Sequence, residues 1–231
     1  KTNFLTSLEK KQFVNFFWKE PNVHIVFKDE NKLNQFEDSL IQTTKKSGFL
    51  LNKKDIHNKK SFINGDWWVQ DFSSFFPLSN FEIKNKDIIY LDTCAAPGGK
   101  SFQLLSKELN VILNDKNKIR IKTLKENLKR LKFDAKILNK DFTKFNNDEK
   151  YDVIIIDAPC SAIGTIRKNP EILFKNKSPN FSELISLQED MLEKASYILN
   201  KNGFIIYMAC SFLRKETINQ IEKFLEKNNN F

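Results

Sequence analysis

The sequence is poor in cysteine, in long apolar runs and in repeated segments, and each shortage excludes a class of protein. Its three cysteines, Cys94, Cys160 and Cys210, form none of the close pairs found in zinc ribbons and small disulfide frameworks. No apolar run approaches the roughly 20 residues of a membrane span, and the first residues show no signal-peptide pattern. We therefore expect a cytoplasmic protein that binds no metal and no membrane.

Size and charge narrow the class further. The 231 residues, of which 40% are hydrophobic, suit one compact domain with a small appendage. Lys and Arg number 38 against 29 Asp and Glu, and the net charge of +9 favours a polyanionic partner where it is clustered. Basic clusters lie between Lys45 and Lys60 and between Lys118 and Lys140. The alternative is compositional bias, because an AT-rich genome also enriches Lys, Asn, Ile and Phe.

The first part of the chain predicts a small α/β unit. Residues 1 to about 20 mix Phe and Lys in a helix-compatible pattern, and Val23 to Phe27 is typical of a strand. The apolar spacing of Asn31 to Thr43 predicts a helix over that strand. Trp67 and Trp68, beside a glycine turn, could stack on nucleic-acid bases, but packing is the more common use of such a pair and we favour it.

From Asp87 onward strands and helices alternate, which predicts an α/β fold with a mainly parallel sheet and helices on both faces. One helix is basic and amphipathic, with Ile121, Leu124, Leu128 and Leu131 on its apolar face. The expected strands are 88–91, 111–113, 135–138, 153–156 and 204–208, and the later helices are about 181–199 and 215–227.

The carboxyl ends of these strands carry an unusual set of residues. Parallel strands end at one edge of a sheet, and ligands bind in the crevice there. A buried structural thiol has no reason to prefer that edge, so the coincidence indicates chemistry. The residues at this edge are Asp92, Cys94, Asp115, Asp141, Asp157, Cys160 and Cys210.

The loop after the first of these strands, Tyr90 to Ser101, is typical of a ligand-binding turn. Gly98 and Gly99 let a ligand approach the main chain, although a Pro-Gly-Gly turn can also merely join two elements. The loop matches neither G-x-G-x-x-G nor G-x-x-x-x-G-K-[ST], so S-adenosylmethionine fits better than a dinucleotide or a nucleoside triphosphate. Asp115 would then meet the ribose, and Asp141 the adenine.

Three blocks carry the cysteines: D-T-C-A-A-P-G-G-K-S at 92–101, D-A-P-C-S-A-I-G-T-I-R-K-N-P-E at 157–171 and Y-M-A-C-S at 207–211. In this order and spacing they resemble the Nol1/Nop2/Sun family of RNA cytosine-5 methyltransferases, most of all its bacterial small-subunit rRNA enzymes. The resemblance implies a Rossmann-like catalytic domain at 65–231, after an N-terminal extension at 1–64 that helps to hold RNA. It also implies S-adenosylmethionine as the cofactor, unassembled 16S rRNA as the partner, and a monomer.

The resemblance implies roles for individual residues. Cys210 is expected to add to carbon 6 of the cytosine, Cys160 to assist release of the product, and Asp157 to bind the polar edge of the base. Lys100 would favour a thiolate or hold the substrate near the cofactor. The expected cofactor contacts are Cys94, Ala95, Ala96, Pro97, Gly98, Gly99, Lys100, Asp115, Asp141 and Asp157.

Two nearby residues have a simpler expected use. Cys94 is interpreted as a packing residue whose backbone touches the cofactor, and Asp92 as a cap for the loop. The sequence departs from the family at Ala209, where Thr is usual beside the nucleophile, and at Ser101, which also replaces a Thr.

Two segments of the family pattern are not found. A helical RNA-binding domain precedes this region in the bacterial enzymes, and an antiparallel hairpin usually ends the sheet, so we expect a segment of a longer polypeptide or a reduced enzyme. Transfer to tRNA is the first alternative. The second is a non-catalytic ribosome-assembly factor, against which the intact Cys210, Cys160, Asp157 and Lys100 argue.

Overall fold

The computed structural model describes residues 6–17, 19–81, 87–146, 148–174 and 179–231, which form two sheets with helices packed around them. The expected N-terminal helix is present as α1, Ser7–Phe17, while residues 1–5 of that pattern lie outside the described residues. Across the described ranges, no helix combines the length and the apolar character needed to cross a membrane.

The first sheet is small and antiparallel. Its elements are β1 (Val23–Phe27), α2 (Glu30–Asn34), β2 (Leu40–Thr44), β3 (Ser47–Leu50), α3 (Lys60–Ile63) and β4 (Trp67–Val69). The strands lie in the order β2-β3-β1-β4. Ile25, Phe27, Leu50 and Trp67 form its buried core.

The helix predicted over Asn31 to Thr43 is wrong. Helix α2 ends at Asn34, and Leu40 begins a strand that lies opposite Leu50 of β3. Leu33, Phe36 and Leu40 do pack on one core, as their spacing indicated, but a short helix, a turn and a strand bring them there. The β-branched side chains that follow Leu40 favour the extended conformation, and pairing with β3 decides the outcome.

Packing of the paired tryptophans is confirmed. Trp67 and Trp68 are 0% and 2% exposed. Each indole N–H donates a hydrogen bond within the protein, from Trp67 to Ser61 Oγ (3.0 Å) and from Trp68 to Gln70 Oε1 (3.0 Å). Neither ring is therefore open to stack on a base.

The second sheet confirms the predicted α/β fold. Helix α4 (Phe72–Ser79) leads into it, and the alternating elements are β5 (Ile89–Asp92), α5 (Gly99–Leu105), β6 (Asn110–Asn114), α6 (Lys118–Leu131), β7 (Ile137–Leu138), β8 (Tyr151–Asp157), α7 (Phe181–Ile198), β9 (Leu199–Met208) and α8 (Ile218–Lys227). All pairings are parallel, in the order β7-β6-β5-β8-β9. Strand β7 is shorter than predicted and β9 longer, whereas the last helix begins later, after a 3₁₀ turn at Arg214–Glu216.

Both faces of this sheet are buried, which explains the unbroken apolar strands. Along β8, Val153 and Ile155 face one core cluster, and Ile154 and Ile156 face the other. Helix α6 covers the first face with the four apolar residues predicted for it. The chain reverses its direction of winding between β5 and β8, so a crevice opens at the carboxyl ends of these two strands.

The small sheet is fastened to α6 through its main chain. The Arg130 guanidinium donates to the carbonyl oxygens of Phe62 (2.8 Å) and Trp67 (3.0 Å) and lies 3.8 Å from the centre of the Phe62 ring. Gly65, with a φ of +78°, turns directly over the end of α6. A Cβ on Gly65 would lie 1.9 Å from the Arg130 carbonyl oxygen, so only glycine fits there.

We expect Gly65→Ala to lower the free energy of unfolding by about 1–3 kcal/mol, because both the backbone conformation and the close approach become strained. Chemical denaturation followed by circular dichroism measures the change. Asn64→Ala, at the exposed neighbouring position, is the control and should leave the midpoint almost unchanged. Equal midpoints for Gly65→Ala and the wild type would contradict the proposed fit.

Candidate active site

Two of the three thiols meet at the crevice. Cys160 follows β8 and Cys210 follows β9, and their Sγ atoms are 3.2 Å apart. The main chain holds the two loops together, since Ala158 N–H donates to Met208 O (2.8 Å) and Gly164 N–H donates to Cys210 O (3.0 Å). The predicted meeting of these thiols at one sheet edge is therefore observed, while their chemical roles stay predictions.

The contact between the thiols makes one proton easier to remove. The hydrogen bond from Cys210 lowers the pKa of Cys160 to about 7, against the opposing effect of burial, because a thiolate on Cys160 accepts that bond. The same bond raises the pKa of Cys210, and burial raises it further. The pair thus holds one negative charge and one proton near neutral pH.

A lysine and a carboxylate stand beside the thiols. Lys100, in the first turn of α5, lies with its Nζ 2.6 Å from Asp157 Oδ2 at the end of β8. The lysine side chain is 13% exposed and the aspartate 35%, so the carboxylate keeps an open side toward the crevice. This arrangement places a fixed ion pair next to a group that can form an anion.

Asp115 braces the loop after β5. It is buried at the end of β6, where Oδ2 accepts from Ala96 N–H (3.2 Å) and Oδ1 accepts from Asn117 N–H (2.8 Å). Arg120 lies 3.4 Å from the same carboxylate and also donates to the Ala96 carbonyl. Each carboxylate oxygen can accept two hydrogen bonds, so Asp115 retains capacity for a ligand hydroxyl.

The rest of the loop is shaped by glycine. Gly98 has a φ of +120°, and a Cβ there would lie 1.9 Å from the Phe102 ring. Gly99 then begins α5, where an added Cβ would meet Gln70 at the distance of an ordinary contact, 3.4 Å. The predicted loop residues 94–100 therefore comprise a turn region up to Gly98 and the first two residues of α5.

Asp92 and Cys94 behave as the simpler interpretation expected. Asp92 is fully enclosed, its Oδ2 accepts from Ser101 Oγ (2.6 Å), and burial raises its pKa to about 6. Cys94 packs against the core cluster behind the sheet, and burial raises its pKa to about 12. Cys94 therefore keeps its proton at neutral pH, unlike Cys160.

Asp141 has two partners of its own. Its Oδ2 lies 2.8 Å from Lys116 Nζ, and its Oδ1 accepts from both donors of Thr143 at the start of a 3₁₀ turn. The hydrogen bond from Lys116, a residue that is itself 75% exposed, is the largest factor that lowers the pKa of Asp141. Contact of Asp141 with an adenine stays a prediction.

Sequence reasoning missed Glu216, which is 0% exposed directly behind the thiol loops. It accepts hydrogen bonds from Ser161 N–H (2.8 Å), Ser161 Oγ (2.6 Å) and Ser211 Oγ (2.6 Å). A serine after each of the two cysteines was the available signal. Glu216 itself was concealed because the predicted helix 215–227 presented it as an ordinary surface charge.

Known proteins match most of the chain in sequence. A family model described as 16S rRNA methyltransferase RsmB/F matches residues 79–231. The ribosomal RNA small subunit methyltransferase B of Vibrio cholerae is 33% identical over 178 residues, which cover 75% of this chain and 41% of that protein. The chain thus spans about two fifths of the length of this curated relative.

Two solved structures are similar in fold. NSun6 from Pyrococcus horikoshii, determined with SFG, is 27% identical with a TM-score of 0.67, over 74% of this chain and 45% of that one. A methyltransferase homolog from Pyrococcus horikoshii has a TM-score of 0.76 over 93% of this chain and 72% of that one. At 22% identity the latter shows the fold alone.

We expect alkylation of Cys160 by iodoacetamide to rise with pH around a midpoint of about 7. In Cys210→Ala the midpoint should move up toward the ordinary thiol value of about 8.5, because the S–H donor that stabilises the thiolate is removed. Mass spectrometry of the peptides gives the rate at each cysteine, and Cys94 is the slow internal control. An unchanged midpoint in Cys210→Ala would exclude the coupling.

Proposed function

The chain belongs to the RsmB/F family of 16S rRNA methyltransferases, and on this basis we propose that it methylates carbon 5 of a cytosine in small-subunit rRNA. The observation that carries the proposal is the pair of thiols 3.2 Å apart beside Asp157 and Lys100. Methylation at carbon 5 needs a nucleophile and a second proton-handling group at one place, and this pair provides both.

The residues of the crevice fit S-adenosylmethionine as the cofactor. The loop at 94–100 runs beside Asp115, whose carboxylate retains capacity for a ribose hydroxyl, and Asp141, which follows β7, is expected to meet the adenine. When bound, S-adenosylmethionine supplies an electrophilic methyl group. The carboxyl ends of β5 and β8, where the cofactor would bind, lie at the same edge of the sheet as the loops that carry the thiols.

Cys210 acts as the nucleophile in this proposal. Carbon 5 of cytosine reacts poorly by itself, so the Cys210 sulfur first forms a bond to carbon 6, which makes carbon 5 electron-rich. Carbon 5 then takes the methyl group, and a base removes its proton. The electrons of that C–H bond re-form the double bond between carbon 5 and carbon 6, and the bond from carbon 6 to the Cys210 sulfur breaks.

Cys160 handles protons for this nucleophile. A thiolate on Cys160 lies within hydrogen-bond distance of the Cys210 S–H, so it can take that proton as Cys210 adds to the base. The same sulfur, next to the covalent adduct, assists the later release of the product. Without Cys160, Cys210 should therefore still add slowly to the base, but release of the methylated RNA should be blocked.

Asp157 and Lys100 serve the base. The exposed part of the Asp157 carboxylate can accept a hydrogen bond from the amino group of cytosine. When the Asp157 carboxyl carries a proton, it can instead donate to the ring nitrogen. Lys100 fixes this carboxylate from the opposite side and keeps a positive charge near the thiolate. The target must be unpaired or flipped out to reach them, which favours rRNA that is not yet assembled.

RNA is proposed to lie along α6 as well as over the thiols. The proposal also divides the chain into an extension at 1–64 and a catalytic domain at 65–231. Lys118, Lys122, Lys125 and Lys129 lie on the exposed face of α6 at helical spacing. The helix starts beside the loop at 94–100 and ends against the small sheet. Its basic face therefore connects the crevice with the N-terminal sheet.

We expect Cys210→Ala to lower methyl transfer to unmodified small-subunit rRNA by on the order of a thousandfold or more, since the covalent step is lost. Cys160→Ala should instead accumulate a protein–RNA adduct on a denaturing gel. Radiolabelled methyl transfer, with bulk tRNA in parallel, measures the activity and the substrate class. Wild-type transfer by Cys210→Ala would exclude the mechanism, and preference for tRNA would exclude the substrate.

We expect the double variant Lys122→Gln with Lys125→Gln to weaken RNA binding and to reduce the magnitude of its salt slope by roughly 1.4 to 1.8, from two lost phosphate contacts. Lys201→Gln with Lys227→Gln is the matched control, because those exposed lysines lie where β9 starts and α8 ends, at the opposite edge of the sheet. Equal salt slopes for the two double variants would mean that the lysines of α6 reflect compositional bias and do not contact RNA.

A further inference from the structure

A buried carboxylate stands directly behind the two thiols without a role in the steps described so far. Glu216 is 0% exposed, in the 3₁₀ turn that precedes α8. Burial disfavours its charge, but the hydrogen bonds from Ser161 and Ser211 outweigh burial and hold the pKa of Glu216 below its usual range. Glu216 is therefore an anion at neutral pH, held by neutral donors.

One side chain connects the two thiol loops. Oε1 of Glu216 accepts from Ser161 N–H (2.8 Å), and Oε2 accepts from the hydroxyls of both Ser161 and Ser211 (2.6 Å each). Ser161 directly follows Cys160, and Ser211 directly follows Cys210. The carboxylate thus fixes the residue after each sulfur, and any shift of one loop against the other would break a bond to a buried charge.

The surroundings of Glu216 are also fixed. Its carbonyl oxygen accepts from Tyr207 OH (2.9 Å). Gln188 of α7 is fully buried and donates to Pro159 O (2.9 Å), just before Cys160, while Gln220 of α8 donates to the Gln188 side chain (3.2 Å). The loop that carries Cys160 is therefore held on both sides of the sulfur by buried polar groups, Gln188 of α7 and Glu216 of the 3₁₀ turn before α8.

A buried anion is a costly way to join two loops. An apolar side chain of similar volume would fill the same space without the desolvation of a charge, so stability alone does not account for a carboxylate here. Charge retained next to reactive thiols is typical of a functional site. The negative charge of Glu216 also disfavours a thiolate on Cys160, because like charges repel.

We propose that Glu216 is a positioning residue that clamps the Cys160 and Cys210 loops together and sets a negative charge against a thiolate on Cys160. This inference rests on the proposed function of the thiol pair. The clamp keeps the sulfurs at hydrogen-bond distance.

The test uses a charge change without a large change of shape. In Glu216→Gln, alkylation of Cys160 by iodoacetamide should move to lower pH, because a repelling negative charge is removed. Besides Glu216, the groups that interact electrostatically with the two thiols are Asp157 and Tyr207. Glu222→Gln, on the exposed surface of α8, is the matched control and should leave the alkylation profile unchanged.

A merely structural Glu216 would lower stability and leave that profile in place, so an unmoved midpoint in Glu216→Gln overturns the proposal. The clamp is tested separately by Ser161→Ala and Ser211→Ala, each of which removes one hydroxyl donor. Either variant should slow single-turnover adduct formation with rRNA, by up to about 100-fold for a displacement near 1 Å. Rates equal to those of the wild type in both serine variants also overturn it.

The alkylation profile needs neither RNA nor cofactor, so the two proposals can fail independently. A shifted profile in Glu216→Gln supports the positioning role even where the wild-type protein methylates no rRNA. Methyl transfer by the wild type, together with an unshifted alkylation profile in Glu216→Gln, supports the proposed function and contradicts the positioning role of Glu216.

Discussion

The parallel pairing of β8 with β9 is the constraint on which the site depends. Asp157 lies opposite Met208 in this register, so the two strands end together and the loops that follow them start side by side. Cys160 and Cys210 are each only a few residues beyond that point, which leaves little freedom in their separation. A slip of one residue would turn the buried side chains of β8 to the wrong face, and the apolar core on both faces prevents it.

The sequence was sufficient for elements whose pattern is set by burial alone. Helix α6 has a single apolar face, and the four residues predicted for that face are the ones it buries. The segment from Asn31 to Thr43 failed because its apolar spacing fits a helix and also fits a short helix followed by a strand. Pairing with β3 made the difference, and such long-range partners are not visible in a local pattern.

The same distinction holds within the site. The positions of the strand ends were enough to predict that the acidic residues lie close together, because the topology brings those ends to one edge of the sheet. The topology does not determine what each carboxylate does. Asp92 accepts from Ser101 inside the loop, Asp115 braces the main chain, and Asp157, paired with Lys100, has the most exposed side chain of these three. Glu216 was missed because it reaches the thiol loops through two serines, from a 3₁₀ turn that was predicted as part of a helix.

The contact between the small sheet and α6 has a consequence for how this protein can diverge. Arg130 holds the carbonyl oxygens of Phe62 and Trp67, and Gly65 contributes only its backbone. Carbonyl groups are present whatever side chains the small sheet carries, so the two Arg130 hydrogen bonds do not depend on the residues of its exposed face. The exposed face of this sheet is thus a place where related chains can differ in sequence around the same pair of hydrogen bonds to α6.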